Sequence, residues 1–302
     1  MRRLWNPGYP VDVGLTLGAL RMGRGDPCHQ YGPDGSLWRT ALMATGAVTY
    51  RLRGEAGGVE AEAWGPGADE MLSALPELLG CGDRPETFRP DHPVLEAATR
   101  RLVGLRVPRT GLLFEALVAA ILHQKVSGRD AGASWTMLVR GHGEPAPGPR
   151  PQMRVPPSPS DWLGVPPWDW RRAGVEPSAV RTIRLVAGRA AALERAAGRS
   201  TEEAYRSLMS MPGVGRWTAA EVGHRALGDA DALPVGDYHL ATLTGWALAG
   251  TRELDEAQVE ELYERWRPHR YRVMRLLELT PSAWPPRRGP RMERPPHRHG
   301  TA

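Results

Sequence analysis

The feature that most constrains the fold is a change of hydrophobic period near Pro93. Before this point, short stretches alternate apolar and polar side chains, as half-buried strands do. After it, apolar residues recur every three or four positions, which is the spacing of one face of a helix. The chain is therefore predicted to have a mixed α+β domain followed by an all-α domain.

The first domain is assigned to residues 1–100. An amphipathic helix in it is predicted from about Asp69, and Gly80 ends that helix. Strand-like alternation predicts a small antiparallel sheet, with strands at residues 13–17, 37–42, 48–52 and 59–64.

The second domain is assigned to residues 101–284 and contains a helical hairpin at about 203–227. The stretch 141–167 is rich in Gly and Pro and is interpreted as a surface excursion. Residues 285–302 form a basic tail predicted to be disordered. Helices are predicted, each to within about three residues, at 93–104, 111–126, 128–140, 177–198, 201–209, 216–227, 238–249, 255–266 and 269–279.

Length and composition narrow the class of protein. A chain of 302 residues favours two domains, and no stretch approaches the roughly 18 apolar residues of a membrane span. Pro7 and Pro10 interrupt any apolar segment that could act as a signal peptide, so we expect a cytoplasmic protein. We also expect it to act as a monomer. Cys28 and Cys81 are the only cysteines, which excludes a disulfide framework or a four-cysteine metal site.

Charge gives a weaker indication. The formal net charge of +5 favours a polyanionic partner. Lys125 is the only lysine, and every other basic residue apart from the histidines is an arginine. Arginine suits bidentate phosphate binding, but the codon bias of a GC-rich genome explains the same composition. Chemistry that needs a side-chain amine therefore has one candidate.

The most informative segment is a turn between two predicted helices. The first helix ends at Met209, Pro212 and the glycines at 213 and 215 form a tight turn, and the second helix begins near Thr218. Glycines let the backbone approach a phosphate, and the N–H groups at a helix start bind anions. An ordinary helical hairpin with a glycine turn is the alternative.

Asp237 follows one helix later, directly before a predicted helix that starts at Tyr238. Aspartate suits the N-cap position, where backbone N–H groups and the helix dipole favour its anionic form. A structural cap and a catalytic carboxylate are compatible roles for this residue.

These segments together resemble the helix-hairpin-helix DNA glycosylases. The resemblance covers about residues 90–280, and the first domain is similar to that of the 3-methyladenine DNA glycosylase II branch. Met211 departs from the usual leucine or phenylalanine at its position. The matching segments are Met211-Pro212-Gly213-Val214-Gly215-Arg216-Trp217-Thr218-Ala219, Pro234-Val235-Gly236-Asp237 and Ile121-Leu122-His123-Gln124-Lys125-Val126-Ser127.

The resemblance implies roles for individual residues. Asp237 is the expected catalytic residue, because a fixed carboxylate stabilises an oxocarbenium-like sugar and orients or deprotonates water. The resemblance implies no required cofactor, but it implies Na⁺ or K⁺ bound by the backbone carbonyls of Met209, Met211 and Val214. The other implied groups are a base pocket of Trp217, Tyr238, Glu221 and Glu278, backbone-binding positions Gly213, Gly215 and Thr218, and a wedge or DNA-contact segment with Gln124, Lys125 and Ser127.

The resemblance also separates reaction types. In bifunctional members, a lysine two residues after the second hairpin glycine forms a Schiff base, and Trp217 holds that position here. An indole forms no imine, so a monofunctional enzyme that uses water is expected. Core packing is the alternative role for Trp217 and Tyr238. For Lys125 the alternative to a wedge is a solvated helix residue.

The predicted function is excision of alkylated, cationic purines from damaged double-stranded DNA, without strand cleavage and without a membrane partner. Glu221 and Glu278 replace aromatic residues in the implied pocket, which leaves deaminated or oxidised bases as an alternative substrate. A non-catalytic DNA-binding protein is a second alternative. Asp237 argues against it, because a carboxylate near phosphates lowers affinity without serving binding.

Overall fold

The computed structural model describes residues 1–55, 57–252 and 254–286. Its N-terminal part holds a five-stranded antiparallel sheet with the order β1-β5-β4-β3-β2. Strands β3 to β5 match three predicted strands. The strands are β1 (Arg2–Trp5), β2 (His29–Tyr31), β3 (Leu37–Met43), β4 (Gly46–Glu55) and β5 (Gly58–Trp64).

The strand predicted at residues 13–17 is wrong, because this segment is a short helix, α1 (Val13–Leu17). Asp12 caps it by accepting a hydrogen bond from the Leu15 N–H over 2.8 Å. Its buried residues, Val13, Thr16 and Leu17, have helical spacing as well as partial alternation. Strands β1 and β2 escaped prediction because they are short edge strands, and β1 begins with two arginines.

Helix α2 (Ala68–Leu78) packs across β1, β4 and β5 and closes the first core. Leu37, Leu52 and Leu75 are fully buried in this core. Gly80 follows the helix with φ +73°, a left-handed conformation that suits glycine, so the predicted stop is confirmed.

Helices follow through the rest of the described chain. The helix predicted at 177–198 is broken at Gly188 and Arg189 into two. Helices α11 and α12 each continue into a π-helical turn, at Gly223–Leu227 and Gly245–Ala249. The helices are α3 (Pro93–Arg101), α4 (Leu113–Leu122), α5 (Gly128–His142), α6 (Pro159–Gly164), α7 (Pro167–Arg172), α8 (Pro177–Ala187), α9 (Ala190–Ala197), α10 (Thr201–Met209), α11 (Arg216–Val222), α12 (Tyr238–Thr244), α13 (Glu256–Glu264) and α14 (Arg270–Glu278).

The interpretation of residues 141–167 as a surface excursion is wrong. Met153 and Trp162 in this stretch are buried in the protein interior. Helix α6 forms there because Ser158 and Asp161 make a reciprocal capping box. Prolines at the first turns of α6 and α7 start helices here instead of marking a loop.

The helices form two further cores, and the candidate site lies where they meet. The first packs α4 against α5, α8, α9 and α11, and Met211 and Val214 of the hairpin turn are buried in it. The second packs α3 and α12 against α14, with Leu240 buried just after Asp237. The turn and Asp237 thus come from adjoining cores.

The domain boundaries near residues 100 and 284 stay predictions. The tail predicted to be disordered lies outside the described residues from 287 onward. None of the helices in the described ranges is long and apolar enough to span a membrane.

Candidate functional site

The hairpin turn joins α10 to α11 and uses its two glycines differently. Gly213 has φ +87°, and a Cβ there would lie 2.3 Å from the Thr182 Oγ1 atom, so only glycine fits. Gly215 has an ordinary φ of −96° and N-caps α11 without a side-chain hydrogen bond. Among the described residues beyond its chain neighbours, no atom lies within 4 Å of a Cβ built on Gly215. The start of α11 is therefore open to an approaching anion.

Gln124, in the turn after α4, connects that turn to the hairpin by hydrogen bonds. Its Nε2 group donates to the Gly213 carbonyl over 2.9 Å and to the Thr218 hydroxyl over 2.8 Å. Thr218 is buried, so its hydroxyl stabilises the hairpin from inside. The structure thus brings Gln124, Gly213 and Thr218 together. It gives Gln124 and Thr218 a structural role that sequence reasoning missed.

Lys125 stands exposed at the tip of the α4–α5 connection. Its φ of 61° is the one positive φ of a non-glycine residue in the part of the chain that the structure describes. A lysine in this conformation stores strain, which is typical of functional positions. Ser127, two residues on, caps α5 by accepting a hydrogen bond from the Asp130 N–H over 3.2 Å.

Asp237 is the N-cap of α12, as predicted. Its Oδ1 atom accepts hydrogen bonds from the N–H groups of His239, at 2.8 Å, and Leu240, at 3.2 Å. Within the described ranges its Oδ2 atom has no hydrogen-bond partner. The carboxylate is therefore fixed by one oxygen and offers the other to a ligand.

The two aromatic residues predicted for the base pocket are both exposed to some degree. Tyr238 is 86% exposed, so the core-packing alternative is wrong for it. Trp217 is partly exposed and stays outside the buried apolar clusters of the described chain. Both rings are thus accessible to a ligand.

Glu221 is not an open wall of a pocket, contrary to the prediction. Only 7% of the residue is exposed, and its two oxygens contact different partners, His224 at 3.4 Å and Arg225. Burial alone would raise the pKa of Glu221, but the charges and hydrogen bonds of Arg225 and His224 outweigh burial and hold this pKa well below its usual range. Glu221 is half of a buried ion pair.

Glu278 differs from Glu221. Its side chain is 29% exposed and accepts one hydrogen bond, from Arg275 over 3.0 Å. Burial raises the pKa of Glu278, Arg275 partly offsets this, and the charges of Glu221 and Asp237 raise it further. The charges of the other two carboxylates therefore act on Glu278.

Sequence reasoning missed the basic and aromatic residues that surround the Glu221 and Glu278 carboxylates. Arg225 lies four residues after Glu221 on a helix, a spacing that could have indicated the ion pair. His224 stacks on Tyr271 with ring centroids 4.0 Å apart, a contact with no sequence signal. His123 is bonded through Nδ1 to the Ala119 carbonyl, and burial, followed by the charge of Arg225, lowers the pKa of His123.

The predicted cation ligands are backbone carbonyls of the hairpin. The Met211 carbonyl accepts a hydrogen bond from the Val214 N–H over 3.0 Å, which leaves one lone pair for a cation. Met209, at the end of α10, is exposed. Elsewhere in the described ranges, no group of three or more His, Cys, Asp or Glu side chains is placed to hold a metal ion.

Comparison with protein families finds no family model that matches the chain. Among curated proteins, a "probable bifunctional transcriptional activator/DNA repair enzyme AlkA" of Mycobacterium tuberculosis is 32% identical over 204 residues. The match covers 64% of this chain and 39% of that relative. The chain thus corresponds to well under half of the relative's length.

Solved structures show the same fold. A 3-methyladenine DNA glycosylase from Archaeoglobus fulgidus matches with a TM-score of 0.76 and 20% identity, over 92% of this chain and 97% of that one. An 8-oxoguanine glycosylase/lyase from Clostridium acetobutylicum, in complex with double-stranded DNA, matches with a TM-score of 0.70 and 12% identity, over 92% and 96%. The chain is therefore similar in sequence to a probable DNA repair enzyme and shares its fold with solved 3-methyladenine and 8-oxoguanine DNA glycosylases.

Proposed function

We propose that this protein is a monofunctional DNA glycosylase that removes alkylated, cationic purines from duplex DNA by base flipping and hydrolysis. The observation that carries the proposal is the Asp237 carboxylate, with Oδ1 locked by two backbone N–H groups and Oδ2 without a partner in the described chain. The hairpin turn packs into one helical core, and the helix that begins after Asp237 packs into another.

The hairpin holds one strand of the duplex. The open start of α11 at Gly215 presents N–H groups to a phosphate, which grips the backbone without reading sequence. The carbonyls of Met209, Met211 and Val214 would hold Na⁺ or K⁺, which adds positive charge beside that phosphate. No other cofactor is needed for hydrolysis.

Lys125 fills the space that the flipped nucleotide leaves. Its methylenes replace the lost stacking, and its ammonium pairs with a phosphate or the orphaned base. The strained backbone and the Gln124 hydrogen bonds to the hairpin support this role, because they fix the tip relative to the bound strand.

The chemistry falls to Asp237 and the aromatic rings beside it. A methylated purine is a good leaving group, so the step needs chiefly stabilisation of the oxocarbenium-like sugar, which the Asp237 anion supplies. The accessible face of Trp217 attracts a positively charged base. Water, oriented or deprotonated by Asp237, then attacks the sugar.

The proposal is tested by product analysis. Duplex DNA treated with a methylating agent is incubated with the protein, and released bases are separated by chromatography. Release of 3-methyladenine or 7-methylguanine with alkali-labile sites left behind supports the proposal. If the protein binds the duplex but releases no base, the glycosylase proposal is wrong and the protein is a non-catalytic DNA-binding protein.

The absence of strand cleavage has its own test. Borohydride is added during the reaction to trap any imine between an amine and the abasic sugar. We expect no covalent adduct, because Trp217 replaces the lysine of bifunctional relatives. An adduct that disappears in Lys125→Arg would refute the monofunctional mechanism.

A further inference from the structure

Glu278 occupies an unfavourable place for a carboxylate. It is the last residue of α14, where the negative end of the helix dipole opposes an acidic side chain. Burial and two neighbouring carboxylates, Glu221 and Asp237, further disfavour its charge. Helix stability therefore gives no reason for an acid at this position, which points to a functional one.

The position of Glu278 is nevertheless well fixed. The Trp284 Nε1 group donates to the Glu278 carbonyl over 3.1 Å, and this holds the end of the helix. The Arg275 Nη1 group donates to Oε2 over 3.0 Å and orients the side chain. Glu278 Oε1 keeps no hydrogen bond in the described ranges, whereas both oxygens of Glu221 have partners.

Contacts between helices bring the end of α14, and with it Glu278, near the start of α12. Helix α14 packs against α12, which begins directly after Asp237. The ring of His239, two residues after Asp237, lies edge-on to Trp284 with centroids 5.7 Å apart. Trp284 in turn donates a hydrogen bond to the backbone carbonyl of Glu278. Two contacts, both made by Trp284, thus connect the segments that carry Asp237 and Glu278.

Resting on the function proposed above, we propose that Glu278 is the specificity-determining residue of the base pocket. Its free Oε1 atom accepts a hydrogen bond from an N–H group of the flipped base. The charge and hydrogen bond of Arg275 favour the ionised carboxylate, which only accepts hydrogen bonds and therefore attracts a cationic purine that presents an amino group. It gives no such attraction to a neutral base that lacks this amino group, because neither the charge nor the hydrogen bond is then available.

The experiment compares two defined duplexes, one with a single 7-methylguanine and one with a single hypoxanthine. Single-turnover rates are measured for the wild type and Glu278→Gln. The carboxamide is nearly the same size but neutral, and its N–H₂ group can donate to a carbonyl. We expect at least a tenfold fall on 7-methylguanine and an unchanged or raised rate on hypoxanthine.

Two further variants make the result specific. Glu261→Gln changes an exposed glutamate of α13 that makes no hydrogen bond in the described chain, and it should leave the ratio of the two rates unchanged. Glu278→Leu removes the acceptor without adding a donor, so it should lose 7-methylguanine excision without gaining hypoxanthine excision. Circular dichroism and affinity for abasic duplex show whether each variant is folded.

The outcomes separate the two proposals. An unchanged ratio in Glu278→Gln, or an equal fall on both substrates, overturns the specificity role while the glycosylase assignment stands. Wild-type protein that excises neither base, and also releases no base from methylated duplex DNA that it binds, refutes the glycosylase proposal itself, and the role of Glu278 falls with it.

Discussion

Replacing Gly213 with alanine should destabilise the hairpin strongly. The residue has φ +87°, and the new Cβ would lie 2.3 Å from Oγ1 and 2.9 Å from Cγ2 of Thr182. Thr182 cannot easily move away, since it is buried and its hydroxyl donates to the Ser178 carbonyl over 3.0 Å. The substitution therefore combines backbone strain with a steric overlap.

The two contributions can be estimated separately. A left-handed backbone costs a non-glycine residue roughly 1–2 kcal/mol. Overpacking a filled site costs roughly 1–3 kcal/mol. Gly213→Ala should thus lower the free energy of unfolding by about 2–5 kcal/mol.

Gly215→Ala is the matched control, because its φ is −96° and, in the part of the chain that the structure describes, no atom beyond its chain neighbours lies within 4 Å of the added methyl group. Alanine is a poorer N-cap than glycine but reduces the entropy of the unfolded chain, so the net change should stay within about 1 kcal/mol. The same methyl group projects where a phosphate approaches. Affinity for undamaged duplex should therefore fall even though stability does not.

Urea unfolding followed by circular dichroism measures the stability of each variant. In a Thr182→Ala background, most of the steric part of the Gly213→Ala cost should disappear, because only the Cβ of residue 182, at 3.2 Å, stays close, and the backbone part should remain. The reasoning is refuted if Gly213→Ala costs no more than Gly215→Ala, or if the Thr182 background changes nothing.

Other substitutions follow from the same contacts. Gln124→Ala removes two hydrogen bonds to the hairpin and should lower the free energy of unfolding by about 1–3 kcal/mol, measured by urea titration. An unchanged urea midpoint would contradict a stabilising role for these two hydrogen bonds. Lys125→Gly relieves the positive φ and should raise stability by up to about 1 kcal/mol while slowing excision; a variant as active as wild type would exclude the wedge. Glu221→Gln should destabilise the protein at neutral pH. Arg225 and His224 lower the pKa of Glu221 in the folded state, so the loss of unfolding free energy in Glu221→Gln should be constant above pH 4.5, the pKa of an unfolded glutamate. This loss should shrink as the pH falls below 4.5. A loss that grows on acidification would show that folding raises the pKa of Glu221 instead.

Signals that are local in sequence predicted much of the fold and site. The hairpin turn follows from Pro212 and its two glycines, and the N-cap role of Asp237 follows from residue type and position. The long helices follow from apolar spacing. Each of these features depends on a few consecutive residues, so sequence alone carries it.

Features that depend on packing were missed. Residues 13–17 alternate like a strand, yet the Asp12 cap and burial on one side make them a helix. Trp162 lies in a stretch rich in Gly and Pro, and only the surrounding helices show that it is buried. The pairing of Glu221 was also missed, because a carboxylate beside a predicted pocket gives no indication of how many of its oxygens remain free.

The central claim is that the Asp237 carboxylate breaks the glycosidic bond, and Asp237→Asn tests it most directly. Asparagine is an equally good N-cap, so its carbonyl oxygen should keep the bonds from His239 and Leu240, with the free energy of unfolding within about 0.5 kcal/mol. We predict that this variant binds methylated duplex at least as tightly as wild type but releases bases slower by a factor on the order of 10² to 10³. Base release at the wild-type rate by the folded variant would contradict the account.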